Sequence, residues 1–311
     1  MSPEAPTVTL VVNPSAGRGK AGKLLPRVVR ELLGKIPQAS LRVHQATSYD
    51  EARMRCIAAV EAARPQVIGD RQDCLVVMGG DGMMSLGLNA AALSCVPLGL
   101  IPAGTGNDFC RGVGVPRNAL AATKVIAAGK TLTMDLTKAQ GQLAGGASQR
   151  FVGSIVSTGY DSRVNRRTNA MSRTFGPMGY AYAALAELAS FEPVHYELTI
   201  DGVPRRQSAM FVAVANAGYF GGGMRIAPDF SVTDGLLDIV IVHPVSRLTL
   251  ARVLPSTFNG SWVSDPAVEQ LRAQKVTIDG TGLYGMADGE TLGPVPLLLE
   301  AVPEALTIYH P

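Results

Sequence analysis

The sequence predicts an α/β amino-terminal domain, built as a parallel sheet with flanking helices, followed by a larger β-rich antiparallel carboxy-terminal domain. Three observations carry this reading. Apolar runs alternate with helix-like stretches up to about residue 130, as expected of parallel strands joined by crossover helices. Beyond it, β-like runs follow one another with one clear helix among them, the habit of an antiparallel sheet. A chain of 311 residues, 47% apolar and 17% charged, is also long enough for two globular cores and too apolar for disorder.

The first strand is Thr-Val-Thr-Leu-Val-Val, 7–12, followed by the turn Asn-Pro-Ser-Ala-Gly. A helix-like stretch covers about 21–34, a strand 39–45, and an Ala, Glu and Arg-rich helix 49–63. The buried-type strand 74–78, a helix 84–93 and a strand 98–101 complete the half. In the second half the β-like runs are 151–158, 194–201, 209–216, 236–243, 274–279, 283–287 and 296–300, with a helix over about 177–190. Residues 138–149, rich in Gly, Ala and Gln, read as a flexible hairpin tip.

Composition narrows the function. A net charge of +3 is mild, and aromatics make up 5% of residues. The combination of clustered charge and stacking surfaces that marks single-strand nucleic-acid binders is missing, so no nucleic-acid partner is expected. Cys56, Cys74, Cys95 and Cys110 form no CxxC pair and read as reduced thiols of a cytoplasmic protein. The first seven residues carry Pro3, Glu4 and Pro6 and do not resemble a signal peptide. The uncharged stretch Gly82 to Asn107 has the length of a membrane span, but its glycines, Asn89, Pro97 and Pro102 divide it into helix, turn and strand. His44, His195, His243 and His310 are scattered and show no metal-binding spacing.

Three loops leave the carboxyl ends of predicted strands, where open α/β sheets bind ligands. They are Asn13-Pro14-Ser15-Ala16-Gly17-Arg18-Gly19, Gly79-Gly80-Asp81-Gly82 and Pro102-Ala103-Gly104-Thr105-Gly106-Asn107-Asp108. Glycine lets backbone N–H groups approach a ligand closely, and a helix N-terminus adds positive potential, so the set favours phosphate. Asp81 fits beside phosphate if a divalent cation bridges the two, or if it orients a donor. The plain alternative is a tight turn in which Asp81 caps the helix that starts at Met83. Gly17 to Lys23 matches the core of a P-loop, but Leu24 stands where a hydroxyl should hold Mg²⁺, which argues against a P-loop NTPase.

The motifs VVNPSAGRGK, VVMGGDGM, LGLIPAGTGNDFCRGVGVP, STGYDSRV, NAGYFGGGMRIAPDFSVTDGLLDIVIV and ADGE, in this order, resemble the bacterial diacylglycerol kinase-like lipid kinases. These are relatives of the sphingosine and ceramide kinase catalytic domains. The GGDG element alone is shared with NAD kinases. The resemblance implies an ATP-binding domain over 1–130, joined by the returning segment 300–311, and a lipid-substrate domain over 131–299, with the active site in the cleft between them. It places nucleotide contacts on Asn13, Pro14, Ser15, Ala16, Gly17, Thr47, Gly79, Gly80, Asp81, Gly82, Met83, Met84, Ser85 and Thr105. Met83 departs from the family's usual Thr and removes a hydroxyl whose hydrogen bond is typically worth about 0.5–1.5 kcal/mol. Met84 and Ser85 depart as well. Asn107 and Asp108 adjoin the site. Asp108 either joins Asp81 around a catalytic Mg²⁺ or, with Asn107, caps the next helical turn.

Phosphoryl transfer to an alcohol needs in-line positioning, charge neutralisation and a base. The resemblance assigns the base to Glu290 of Asp288-Gly289-Glu290, with Asp288 orienting it or the metal. Read without the family, the same tripeptide is a surface turn. The resemblance also implies a structural Mg²⁺ held by the Asp234 carboxylate and the carbonyls of Ser231 and Leu236. The alternative there is a Thr-Asp-Gly hairpin turn with Asp238 facing solvent. The expected function is transfer of the γ-phosphate of ATP to diacylglycerol or a related lipid alcohol. The expected location is cytoplasmic, in reversible peripheral contact with the inner membrane face. The apolar stretch 179–191 and the preceding Arg163, Arg166, Arg167 and Arg173 would suit such contact, or a core helix beside a solvated basic face. Two other readings stay open: an NAD kinase-like enzyme, and a nucleotide-binding regulatory protein without activity. The particular lipid is not legible, and a homodimer is left open.

Overall fold

Strand β1 (Thr7–Val12) opens a sheet whose middle strands are buried on both faces. The computed structural model describes residues 5–36, 38–65, 71–159 and 192–311. The chain divides into one unit of Met1–Leu136 with Pro303–Pro311, and a second of Thr137–Val302.

In the first unit β1 is followed by α1 (Ala16–Lys35), β2 (Ser40–Gln45), α2 (Tyr49–Glu61), β3 (Cys74–Gly79), α3 (Asp81–Ala91), β4 (Leu98–Pro102), α4 (Asp108–Gly112) and α5 (Ala119–Ala128). The parallel strand order is β2-β1-β3-β4. From β1 the chain goes outward to β2 and then returns past β1 to β3. The order therefore reverses between β1 and β3, which makes the carboxyl end of that pair a topological switch point. Every position of β3 and β4 is buried, which explains why both read as unbroken apolar runs. Leu10, Val12, Val76, Met78 and Ile101 share a core with Val28 and Leu32 of α1 and Ile126 of α5. Ile308 pairs with Leu98 of β4, and Tyr309 joins the same core, so residues 303–311 complete this unit.

The second unit continues β5 (Thr131–Gln140) from residue 137 and adds β6 (Gln149–Val152), β7 (Ile155–Gly159), β8 (Val194–Ile200), β9 (Val203–Ala209), β10 (Phe211–Ala215), β11 (Tyr219–Phe220), β12 (Met224–Arg225) and β13 (Leu237–Val242). After a short helix α6 (Arg247–Val253) come β14 (Val268–Ala273), β15 (Lys275–Asp279), β16 (Tyr284–Ala287), β17 (Glu290–Pro294) and β18 (Leu297–Tyr309). One antiparallel sheet has the order β14-β13-β10-β7-β16-β17. Its central strands are buried on both sides, and alternate residues serve different cores. Val212, Val214, Ile239 and Ile241 pack with Leu198, Val276, Ile278, Leu297 and Leu299 of the opposing strands. Phe211, Ala213, Val240 and Val242 pack outward against Met224, Ile226 and Trp262.

Several expectations need correction. Helix α5 is additional, held by Asn118, whose side chain accepts the N–H groups of Leu120 and Ala121, and by left-handed Gly129. The run 151–158 is split at Gly153-Ser154 into β6 and β7. Residues 138–149 do form a hairpin, but its tip is anchored: Leu143 is 6% exposed and sits in the core with Leu292 and Leu297. The predicted helix 177–190, the stretch 179–191 and Arg163, Arg166, Arg167 and Arg173 lie outside the described residues. Among the described residues no helix is long and apolar enough to cross a membrane.

Candidate active site

The three glycine loops meet at the carboxyl ends of β1, β3 and β4. The N–H of Asn13 donates to the carbonyl of Met78 at 3.1 Å, and the N–H groups of Ala103 and Gly104 both donate to the carbonyl of Gly79, at 2.7 and 3.1 Å. Side chains are excluded from these approaches. A Cβ on Gly104 would lie 2.4 Å from the Cα of Gly80, and one on Gly17 would lie 2.1 Å from the carbonyl oxygen of Ala103. Gly17, Arg18 and Gly19 are all left-handed, with φ of 59°, 59° and 82°, so regular helix begins only after them. The Asn13 side chain accepts the N–H of Ser15 at 3.0 Å and fixes the start of this loop.

Asp81 is the first residue of α3, and the cap position belongs to Gly80, which corrects the reading of Asp81 as the helix cap. Its carboxylate turns instead to the neighbouring loop. Oδ2 accepts the N–H of Asn107 at 2.8 Å and Oδ1 that of Asp108 at 2.7 Å. Burial pushes the Asp81 carboxyl above its usual range, against the opposing effect of those two N–H donors. Asn107 is left-handed and 4% exposed. Its side chain clasps Gly104, accepting the N–H and donating to the carbonyl, both at 3.0 Å. A Cβ on Gly106 would stand 2.7 Å from Asp81 Oδ2 and 3.2 Å from Asp108 Oδ2, so the two carboxylates border one point of the loop. Asp108 also lies 3.7 Å from Arg111.

The remaining positions on this unit are distributed unevenly. Thr47 is exposed at the entrance to α2 and donates through its N–H (2.9 Å) and hydroxyl (3.2 Å) to Glu51. Ser48 accepts the Glu51 N–H at 3.2 Å, completing a cap. Met83, Met84 and Ser85 are all buried, and Met83 packs over Gly79.

In the second unit, Asp288 and Gly289 form the two-residue turn between β16 and β17, with φ of 52° and 78°. Positive φ at both centres gives the hairpin turn whose twist suits the strands it joins. Glu290 opens β17 opposite Ala287, and its Oε2 lies 3.1 Å from Arg150 Nη2, an ion pair across 140 residues of sequence. Arg150, the partner of Glu290, was not singled out from the sequence. Nothing local marks it, because only the fold of the β5–β6 hairpin brings it to the DGE turn.

Asp234 lies in the loop before β13. Its Oδ1 accepts the N–H of Leu236 at 3.1 Å, and its Oδ2 lies 3.7 Å from Arg272. Arg272 also donates to Asp238 at 2.9 Å and to the Asp229 carbonyl at 2.7 Å. Asp238 is therefore paired, not solvated, which corrects the hairpin alternative. Burial raises its carboxyl from the usual value, and Arg272 opposes that shift. Ser231 braces the loop by accepting the Thr233 N–H at 3.3 Å. Among the described residues no group of three or more His, Cys, Asp or Glu side chains is arranged to hold a metal ion.

A glycine-loop junction at the switch point of a parallel sheet, followed by an antiparallel β-rich unit, is an architecture shared with NAD kinase-like folds. Yeast NADH kinase, solved with NADH, superposes with a TM-score of 0.56 at 13% identity, covering 100% of this chain and 84% of that one. A solved diacylglycerol kinase of Bacillus anthracis superposes with a TM-score of 0.71 at 22% identity, over 100% and 98% of the two chains. Residues 7–139 match the diacylglycerol kinase catalytic domain, and residues 154–310 match the YegS C-terminal NAD kinase beta sandwich-like domain. A diacylglycerol kinase of Mycobacterium tuberculosis is 34% identical over 98% of this chain and 95% of its own length. One of Bacillus subtilis is 28% identical over 92% and 90%. The chain belongs to the bacterial diacylglycerol kinase-like lipid kinase family.

Proposed function

We propose that this protein transfers the γ-phosphate of ATP to the hydroxyl of diacylglycerol or a related lipid alcohol. The observation that supports it most is the meeting of three glycine loops at the β1/β3 switch point, in a chain of this family. In this reading the nucleotide is held by Asn13 to Gly17, Thr47, Gly79 to Ser85 and Thr105, with Asn107 and Asp108 shaping the loop. Because Met83, Met84 and Ser85 are buried, their share falls to the backbone at the N-terminus of α3, where N–H groups and the helix dipole favour phosphate.

Asp81 and Asp108 present hard carboxylate oxygens beside Gly106, and these suit Mg²⁺. When bound there, Mg²⁺ supplies neutralisation of the charge on the phosphate oxygens. Glu290 accepts the proton of the attacking hydroxyl, and Asp288, in the turn before it, sets its direction. Asp234 with the carbonyls of Ser231 and Leu236 offers an all-oxygen set for a second, structural Mg²⁺, which would share Asp234 with Arg272. Contact with the membrane is peripheral and reversible in this reading.

The test is transfer from γ-labelled ATP with Mg²⁺ into diacylglycerol, phosphatidylglycerol, ceramide and undecaprenol presented separately, with NAD as a further acceptor. Label on a lipid that vanishes in Glu290→Ala supports the proposal. Label on NAD alone replaces it with a nucleotide kinase. ATP binding without transfer to any acceptor leaves a regulatory nucleotide-binding protein.

A further inference from the structure

Arg150 lies on β6, in the hairpin that β6 forms with β5. The hairpin that carries it is pressed onto β17 and the link that follows it by two backbone contacts in which no side chain fits. A Cβ on Gly293 would lie 2.3 Å from the carbonyl oxygen of Gln142, and one on Gly141 would lie 2.8 Å from that of Pro296. Leu143, the residue after Gln142, is buried in the same core as Leu292 and Leu297. Across the hairpin Arg150 pairs with Ala139. The strand bearing Glu290 and the hairpin bearing Arg150 are thus seated on each other at backbone level, and the 3.1 Å contact between the side chains follows from that seat.

Only 17% of the Arg150 side chain is exposed, against 40% for Glu290. The better-buried guanidinium is the fixed member of the pair, and the carboxylate is the one with an open side. The contact engages Oε2 of Glu290. A carboxylate gripped at one oxygen has its rotation restricted while the other keeps its lone pairs for a proton. Two close glycine contacts and a buried leucine hold this geometry, more support than a loosely held surface ion pair has.

We infer that Arg150 is the positioning residue of the phosphoryl-transfer step: it holds Oε2 of Glu290 so that Oε1 faces the acceptor hydroxyl. This rests on the reading of Glu290 as the base. No bond to Arg150 forms or breaks; the acceptor proton goes to Glu290 alone.

The experiment is a double-mutant cycle in the ATP-to-diacylglycerol assay, in mixed micelles, with Arg150→Met, Arg150→Lys, Glu290→Gln and Arg150→Met/Glu290→Gln. Loss of positioning predicts a fall in kcat of about 10- to 100-fold for Arg150→Met, the scale of a misplacement near 1 Å. KM for ATP should stay within about twofold of wild type, since this residue would act on a transition-state interaction and not on nucleotide binding. Arg150→Lys keeps the charge, tolerates the same site and should recover part of kcat. The double variant should be no slower than Glu290→Gln, because positioning an absent base has no value. A wild-type kcat in Arg150→Met, a raised KM for ATP with kcat intact, or additive losses in the double variant would each overturn the inference. A melting temperature lowered in Arg150→Met and a wild-type kcat in Arg150→Lys would do the same, assigning Arg150 to stability. Full activity in Glu290→Gln alone sinks the reading of Glu290, and that is a separate result from a separate variant.

Discussion

In the proposed function the two units would carry their chemistry in different materials. At the β1/β3 switch point the groups proposed to act are main-chain N–H and carbonyl groups, and side chains hold loops together. Asp81 ties the loop after β4 to the start of α3, and Asn107 clasps its own turn. In the second unit the groups proposed to act are side chains, paired over long sequence distances: Glu290 with Arg150, Asp234 and Asp238 with Arg272. A backbone site tolerates changes in side-chain chemistry but not in bulk. A side-chain site tolerates the reverse. Substitutions in the first unit should therefore appear in nucleotide affinity, and those in the second in turnover.

The largest effect should come from Glu290→Ala, which removes the proposed base while sparing the fold: kcat falls by about 10²- to 10⁴-fold with KM for ATP unchanged. Steady-state transfer from labelled ATP reads this, and a KM effect instead would blur the division between the units. Next is Gly104→Ala. Its Cβ would stand 2.4 Å from the Gly80 Cα, backbone against backbone, so the loops must part. We expect kcat/KM for ATP to fall by about 10- to 100-fold, mostly in KM, as measured by nucleotide binding calorimetry beside kinetics.

The opposite end of the same sheet separates stability from binding. Asp73 precedes β3 and accepts from the Thr7 N–H at 2.7 Å, from the Arg64 N–H at 3.0 Å and from the Arg64 guanidinium. Burial pushes its carboxyl up, but these donors outweigh burial and hold it at about 2. A carboxyl lowered in the folded state stabilises above its unfolded value, and that stability drains away as pH falls from about 5 towards 2. Asp73→Asn should cost about 2 kcal/mol near pH 7 and flatten the acid limb of a melting-temperature profile, with ATP affinity untouched. A steep limb in the variant would assign acid lability to other carboxylates. The smallest effect is that of Met83→Thr. A regained hydroxyl contact is worth about 0.5–1.5 kcal/mol, so KM for ATP should drop a few-fold. An unchanged KM would make this buried position part of the core only.

The parallel half was legible because its strands are buried on both faces and read as apolar blocks, and because glycine clusters at their ends cannot be hidden in a pattern. Asp81 was legible as important but not as a clasp: its partners are the N–H groups of Asn107 and Asp108, 26 and 27 residues away, and backbone donors leave no trace in side-chain spelling. The strands that escaped notice are polar or interrupted. β9 reads Val-Pro-Arg-Arg-Gln-Ser-Ala and, among the described residues, pairs only with β8, at a sheet edge, where Pro204 is tolerated. β17 contains Gly293 and Pro294. Asn118 and Gly129 did mark both ends of α5, and that pair was a readable signal passed over. Arg150 could not be found by any local rule.

Strand β18 starts in the second unit, pairs there with β15, and ends in the first beside β4. During synthesis the ribosome therefore releases residues 7–136 long before residues 303–311, which supply Ile308 and Tyr309 to their core. At about 5–20 residues per second, the first unit waits for the whole of 137–302 to be made before its last strand arrives. The first unit is thus translated first and finished last, and a fragment cut after residue 136 would carry a core with an open flank along β4.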